Sequence, residues 1–504
     1  MSQFADAGHR VFYVSLSFRA SGPPWEIAEK RPNVYEVALR APAKNVYRHV
    51  LDDEACQAFF GSLAALRRDL SLGATVTFVQ LPFWWPLARS AREAFAWPVV
   101  YDCMDHHAGF SEVTPEMLGH EGTLLSCADL VLVSSGLLAE AARRHTDRVL
   151  HLPNACDYDH FALPSRPHGE RPVIGYYGAL EDWFDADLVA DLAERRPDWS
   201  FVLVGRTVGA DTSRLSRLDN VSLCGEQPYS AIPEWLDRFD VAIVPFKRTP
   251  LTEATNPVKA YEILAAGKPI VSVPIPEMAL LGDLVRLAGN PEEFEREIEA
   301  GLLDEDRATI EARRAFAREH TWSRRFGVLA PATRGVFPLV SVVVATANDP
   351  DRCRRCIESL FGRTEWPNFE AIVVSGASGE RMREPLEAAR RRFPDLRVFG
   401  AGDARLAAAC NRGLDEARGD LLVVLTSDAV MTRGGVTAMV SELQADPAVG
   451  LVATGGPAPL CLATRRSVFL AVGPLDEGPG IGGLEDDYAR RVRAKGYRVV
   501  APAT

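Results

Sequence analysis

Short apolar runs, each closed by a turn and followed by a helical stretch rich in Ala, Leu, Glu and Arg, recur along the whole chain. Val11–Leu16, Val76–Val79, Val99–Tyr101 and Leu130–Val133 form a first set. Val173–Gly178, Phe201–Gly205, Val241–Pro245 and Pro269–Val273 form a second, and Val340–Val344, Ala371–Val374 and Asp420–Leu425 a third. Strands that alternate with helices must return in the same direction, so the pattern predicts doubly wound parallel sheets of an α/β protein. Three sets imply three units: residues 1–163, 171–326 and 339–504. The Pro- and charge-rich stretch Pro164–Pro172 reads as the linker between the first two. A chain of 504 residues accommodates three such units.

The bulk properties narrow the function. A formal net charge of −12 argues against general binding to nucleic-acid backbone. No run approaches the roughly 18 apolar residues of a membrane span, and the start Met1-Ser2-Gln3-Phe4-Ala5-Asp6 is not a secretory signal. Nine cysteines follow no framework spacing, and Cys353-Arg-Arg-Cys356 reads as two thiols on one helix. A reducing, cytoplasmic setting follows, with peripheral contact at the inner membrane face left open.

The most informative segment is Thr255-Asn-Pro-Val-Lys259-Ala-Tyr-Glu262-Ile-Leu-Ala-Ala-Gly267-Lys-Pro269. Asn256 suits an N-cap, Pro257 the first helical position and Gly267 the position after the helix. A helix therefore opens where the Val241–Pro245 strand ends, the crevice in which open α/β sheets bind ligands. Its free N–H groups suit a diphosphate. Lys259 and Glu262 share a helix face; one can neutralise phosphate and the other can accept from a ribose diol, although the same pair would serve as a plain surface ion pair.

These residues resemble the donor-binding segment of GT-B glycosyltransferases, built from two Rossmann-like lobes. The resemblance covers about residues 1–330, with Gly175-Tyr-Tyr-Gly178 as the loop opening the donor lobe and His320-Thr-Trp322 near its closing helix. It implies binding of a nucleoside diphosphate sugar through Gly178, Asn256, Lys259 and Glu262, without metal. Ala254 stands where many members carry an acid, with Glu253 one place before it. In the first lobe, Tyr101-Asp-Cys-Met-Asp105-His106-His107 follows a strand, and Asp105 is the candidate base for an acceptor hydroxyl. His9, His145, His151 and His160 read as surface or packing residues. Gly8 precedes what resembles the second strand of such a lobe, so the chain reads as lacking the first strand and its loop.

Val340-Ser-Val-Val-Val-Ala-Thr346-Ala-Asn348 with Cys356-Ile-Glu-Ser-Leu360 resembles the opening of family 2 glycosyltransferases, of GT-A fold. Asn411-Arg-Gly413, Val472-Gly-Pro-Leu-Asp476 and Glu485-Asp486-Asp487 match later motifs in the right order. The resemblance implies nucleotide contacts from Thr346 and Asn411, Mg²⁺ or Mn²⁺ on Asp428, and Asp486 as general base. It also implies convergence of Asp428, Asp476 and Glu485-Asp486 at one sheet edge. Thr426 stands where the family has its first metal acid, and Ser375-Gly376 where it has an acidic pair. The chain further reads as stopping before a later metal-binding His. Gly478-Pro-Gly480-Ile-Gly-Gly483 spells a dinucleotide fingerprint, but no strand precedes it.

The resulting expectation is a glycosyltransferase acting on a polysaccharide or glycolipid acceptor. The alternative is a sugar-nucleotide-binding scaffold whose second module is catalytically degenerate. A nicotinamide-dependent oxidoreductase lacks a well-placed glycine fingerprint.

Overall fold

The computed structural model describes the chain except residues 17, 43–44, 163–168, 170, 304–305, 347–348, 377–379, 403–404, 455–458, 479–480 and 503–504, and the side chains of 380, 481 and 482. Most of the expected linker, Asn348 and Gly480 lie outside the described residues.

The middle unit follows the expectation. Six strands lie in the order Val221–Leu223, Ser200–Val204, Val173–Tyr177, Val241–Val244, Ile270–Ser272, Arg286–Leu287. Every pair is parallel. The chain winds outward in both directions from Val173–Tyr177 and Val241–Val244, so the crevice opens beyond the C-terminal ends of those two strands. The Val241–Val244 strand is buried along its whole length, as a central parallel strand covered on both faces must be.

The last unit has a seven-stranded sheet, ordered Leu396–Gly402, Phe369–Gly376, Val340–Thr346, Leu421–Thr426, Cys461–Arg465, Val449–Ala453, Arg498–Val500. Cys461–Arg465 runs antiparallel to both neighbours, a reversal that alternating strand and helix did not announce.

The first unit corrects the expectation of one doubly wound sheet. Thr77–Val79, Val99–Cys103, Leu130–Val133 and Val149–His151 form a four-stranded parallel sheet. Val11–Val14 belongs to a separate three-stranded sheet, pairing in parallel with Val34–Leu39, which pairs antiparallel with Trp25–Arg31. The hairpin turns at Asn33, whose φ of 64° is the left-handed conformation that Asn tolerates. Ser2–Asp6 is a helix whose Phe4 ring meets Phe78 and Phe326 edge-on.

The units touch. The Trp322–Gly335 helix leaves the donor lobe and packs on the Ser2–Asp6 helix. Ala74 and Val76 of the first unit pack against the core of the last.

Candidate functional site

The Val258–Ala266 helix starts at the crevice and ends at Gly267, whose φ of 78° closes it in the left-handed conformation. The N-terminal half of the expectation is corrected. Pro257 is the N-cap, and no side chain caps the helix.

Asn256 is drawn elsewhere, into a seam between the two lobes. Its Oδ1 accepts from the Asn154 N–H at 3.0 Å, and its Nδ2 donates to Glu277 Oε2 at 2.6 Å and to Tyr261 Oη at 3.1 Å. Its carbonyl accepts from Asn154 Nδ2 at 2.7 Å. Glu277 Oε1 in turn accepts from the N–H of Gly136 at 2.9 Å, at the start of a first-lobe helix. Ser135 Oγ donates to the Ala254 carbonyl at 2.6 Å. With its amide spent in protein, Asn256 joins the lobes rather than offering that amide to a ligand. Glu253 points away as well, paired with Arg248 at 3.0 Å.

Lys259 and Glu262 are brought to the crevice. Lys259 Nζ lies 4.8 Å from the ring centres of both Tyr176 and Phe246 and 3.4 Å from Tyr176 Oη. Among the described residues no carboxylate forms an ion pair with it, and burial lowers its pKa to about 8. An ammonium enclosed by aromatic faces, attracted by Glu262 but in no direct ion-pair contact among the described residues, suits an anionic ligand. Glu262 is 5% exposed. Tyr177 Oη donates to its Oε2 at 2.7 Å and Tyr229 Oη to its Oε1 at 3.3 Å. Burial raises the Glu262 pKa, and these two bonds and Lys259 partly offset the rise.

Gly178 floors the crevice. Its φ is 132°, and a Cβ built there would stand 3.0 Å from Lys259 Nζ. A Cβ at Gly205 would fall 1.8 Å from the Gly178 carbonyl oxygen, so both positions exclude side chains.

The first-lobe loop with Asp105 faces this lobe. A Cβ on Gly109 would lie 2.7 Å from Leu251 Cβ, and Phe110 meets Trp183 edge-on at 6.4 Å. The Asp105 carboxyl is raised by burial and then by Asp102, the direction that suits a proton acceptor near neutrality. Asp102 is itself raised by burial, although Gln80 donates to it at 3.0 Å. His107 is 7% exposed, and burial lowers it to about 4. It is therefore neutral at pH 7.

In the last unit the expected residues are dispersed among different tasks. Thr346 is 3% exposed at the end of its strand, with its hydroxyl beside the Cys353 thiol. Asn411 clamps backbone: its Nδ2 donates to the Leu475 carbonyl and its Oδ1 accepts from the Leu475 N–H, both at 2.9 Å. Thr426 Oγ1 accepts from the Leu460 N–H at 3.0 Å, holding the start of the antiparallel strand. Asp428 and Asp486 are exposed, and Asp476 Oδ1 accepts from the Gly478 N–H at 3.0 Å. Among the described residues no three His, Cys, Asp or Glu gather as metal ligands, so the expected acidic convergence does not form one.

Sequence reasoning missed Tyr229 and Glu277. Tyr177 was legible as part of the glycine-flanked loop, but its bond to Glu262 spans 85 residues.

Two family models match the chain: Glycosyl transferases group 1 over residues 171–304, and Glycosyl transferase family 2 over residues 341–460. The putative teichuronic acid biosynthesis glycosyltransferase TuaH of Bacillus subtilis (strain 168) is 30% identical over 206 residues, covering 36% of this chain and 52% of that protein. The O-antigen biosynthesis protein RfbC of Myxococcus xanthus is 26% identical over 217 residues, covering 33% of this chain and 17% of that protein. The chain thus spans about half of the first relative and less of the second. A crystal structure of Anabaena Alr3699/HepE in complex with UDP and glucose is 16% identical, covers 57% of this chain and 85% of that one, and has a TM-score of 0.45. The chain carries glycosyltransferase modules of both types, a GT-B-like pair of α/β lobes followed by a GT-A-like domain.

Proposed function

We propose that this protein transfers a sugar from a nucleoside diphosphate sugar to a polysaccharide or glycolipid acceptor, and that the cleft of the two-lobed module does the chemistry. The observation that carries this reading is Lys259, an enclosed ammonium that no carboxylate among the described residues contacts as an ion pair, beside the buried carboxylate of Glu262. The diphosphate would lie on Lys259 and the Gly178 backbone, with the ribose diol on Glu262. Asn256 serves this site through the lobe seam. Asp105, across the cleft, would take the acceptor proton as the sugar leaves its diphosphate. The names of the two relatives, teichuronic acid and O-antigen biosynthesis, support a surface polysaccharide as acceptor. No described helix is long and apolar enough to cross a membrane, and all nine cysteines are free thiols, which supports a cytoplasmic setting.

For the last module, a supporting role is favoured by Thr426, whose hydroxyl is tied to Leu460 at the position where the family has its first metal acid. Asp428 offers Mg²⁺ or Mn²⁺ one carboxylate, the low end of the one or two that a cation shared with nucleotide phosphates takes from protein. Asp486 is an exposed carboxylate able to act as a base if a donor binds.

The test is a panel of nucleoside diphosphate sugars, assayed for binding and donor hydrolysis with the wild type, Lys259→Met, Glu262→Gln and Asp428→Asn. Loss of both readouts in the first two variants, and retention in the third, is the expected result. Undiminished binding in both Lys259→Met and Glu262→Gln would overturn the assignment.

A further inference from the structure

Tyr229 stands outside every motif in the sequence, yet it reaches the centre of the proposed donor site. It opens the short turn Tyr229–Ala231, and the residue is 54% exposed. That exposure is unusual for a tyrosine whose hydroxyl meets a buried carboxylate, Glu262 Oε1 at 3.3 Å. The ring is held on its other face by His160, stacked at 4.8 Å with planes 18° apart. His160 Nε2 lies 3.2 Å from the Tyr229 carbonyl oxygen, which ties the imidazole to the backbone of the same turn. Phe161 meets the ring edge-on at 5.7 Å.

The direction of the site gives this arrangement a use. Lys259 and Glu262 are three residues apart on one helix, with the phosphate group proposed at the first and the ribose at the second. Tyr229 meets the carboxylate oxygen left after Tyr177 has taken the other. A carboxylate that accepts from both hydroxyls of a ribose diol must hold one rotamer, with both oxygens presented and the charge retained. Tyr177 secures one oxygen from inside the core, and Tyr229 secures the other from the solvent side.

We propose that Tyr229, braced by His160, is a positioning residue that holds Glu262 ready for a ribose diol; this rests on the donor-site reading above. Its hydroxyl donates to Glu262 Oε1 and fixes the carboxylate plane, while the His160 stack keeps the exposed ring from swinging into solvent. The groups facing Glu262 are Tyr177, Tyr229, Lys259 and His160, with the Cys156 thiol nearby. Of these, Tyr177, Tyr229, Lys259 and His160 all favour the ionised carboxylate, against its burial.

The experiment uses the full chain and whichever of UDP, GDP and ADP the wild type binds, together with the 2′-deoxy counterpart of that nucleotide. Tyr229→Phe keeps the ring and its stack but removes the donor. It is expected to weaken ribonucleotide binding by about tenfold, the lower end for a hydrogen bond to a charged group. The penalty should shrink for the 2′-deoxynucleotide, which no longer asks Glu262 for two bonds. The pH below which binding is lost should also move upward, because Glu262 loses one of the donations that oppose its burial. His160→Leu should weaken binding in the same direction while leaving the hydroxyl in place. Equal penalties for the ribo- and deoxynucleotide with an unmoved pH profile would overturn the proposal, since a merely structural tyrosine would act alike on both. Glu262→Gln separates the two levels. If it leaves binding unchanged, the donor-site reading fails; if it loses binding while Tyr229→Phe matches the wild type throughout, only the role of Tyr229 fails.

Discussion

Replacing Lys259 by Met should stabilise the donor lobe and at the same time remove its affinity for nucleotide. Burial holds the lysine at about 8 instead of 10.5. A lysine lowered on folding favours the folded state only when neutral, so its charge opposes folding at pH 7, and the penalty fades as pH rises through about 8 toward 10.5. The fall from 10.5 to about 8, at about 1.36 kcal/mol per pH unit, gives roughly 3.4 kcal/mol as an upper figure. The residue is part exposed, which screens some of this, and attraction to the rings of Tyr176 and Phe246 returns about 1 kcal/mol. The net gain from Met, which has similar length and no charge, is therefore about 1–2 kcal/mol. Hydrogen exchange at the amides of the Val258–Ala266 helix reads this lobe alone and should slow by about 5- to 30-fold at pH 7. Nucleotide at about 100 times its Kd should add about 2.7 kcal/mol of protection to the wild type and little to the variant. Faster exchange in Lys259→Met without ligand, or full nucleotide protection in the variant, would refute the reasoning.

Other outcomes follow from the same geometry. Glu277→Ala strands the Asn256 amide and the Gly136 N–H in the lobe seam, and should cost about 1–3 kcal/mol, seen as lowered hydrogen-exchange protection on both sides of the seam. Gly205→Ala places a Cβ 1.8 Å from the Gly178 carbonyl; calorimetric titration should find nucleotide binding abolished, and a well-bound variant would show that the Gly178 loop does not shape the site. His107 is lowered to about 4 from 6.5, so the neutral form stabilises the fold above pH 6.5 and that contribution disappears as pH falls through about 4. It amounts to roughly 3 kcal/mol, and urea titrations between those pH values should show a flatter dependence in His107→Phe. Asp105→Asn should lower sugar transfer by about 10²–10⁴-fold while leaving nucleotide affinity in place; a variant that transfers normally would remove Asp105 as the base.

The sequence by itself determined the α/β class, the positions of most parallel strands and the helix that opens the crevice. These depend on local facts: apolar runs of strand length, helical spacing between them and a glycine that ends a helix in a left-handed turn. Lys259 and Glu262 were legible for the same reason, since residues three apart on a helix share a face whatever surrounds it. The tertiary structure alone decided what those side chains meet. Asn256 had the residue type and position of a cap, but a carboxylate 21 residues later and a backbone N–H 102 residues earlier claimed its amide. Glu262 received two tyrosines, 85 and 33 residues distant, one from a strand and one from a short turn. Asn411 and Thr426, legible as family positions, were committed to backbone of strands and turns that local pattern did not place beside them. The hairpin Trp25–Leu39 was hidden likewise, because its pairing rests on one left-handed asparagine. Periodicity records which face a residue takes within its own element. Hydrogen-bond partners depend on which elements the crossovers set side by side, and a buried polar group takes whichever partner that packing supplies.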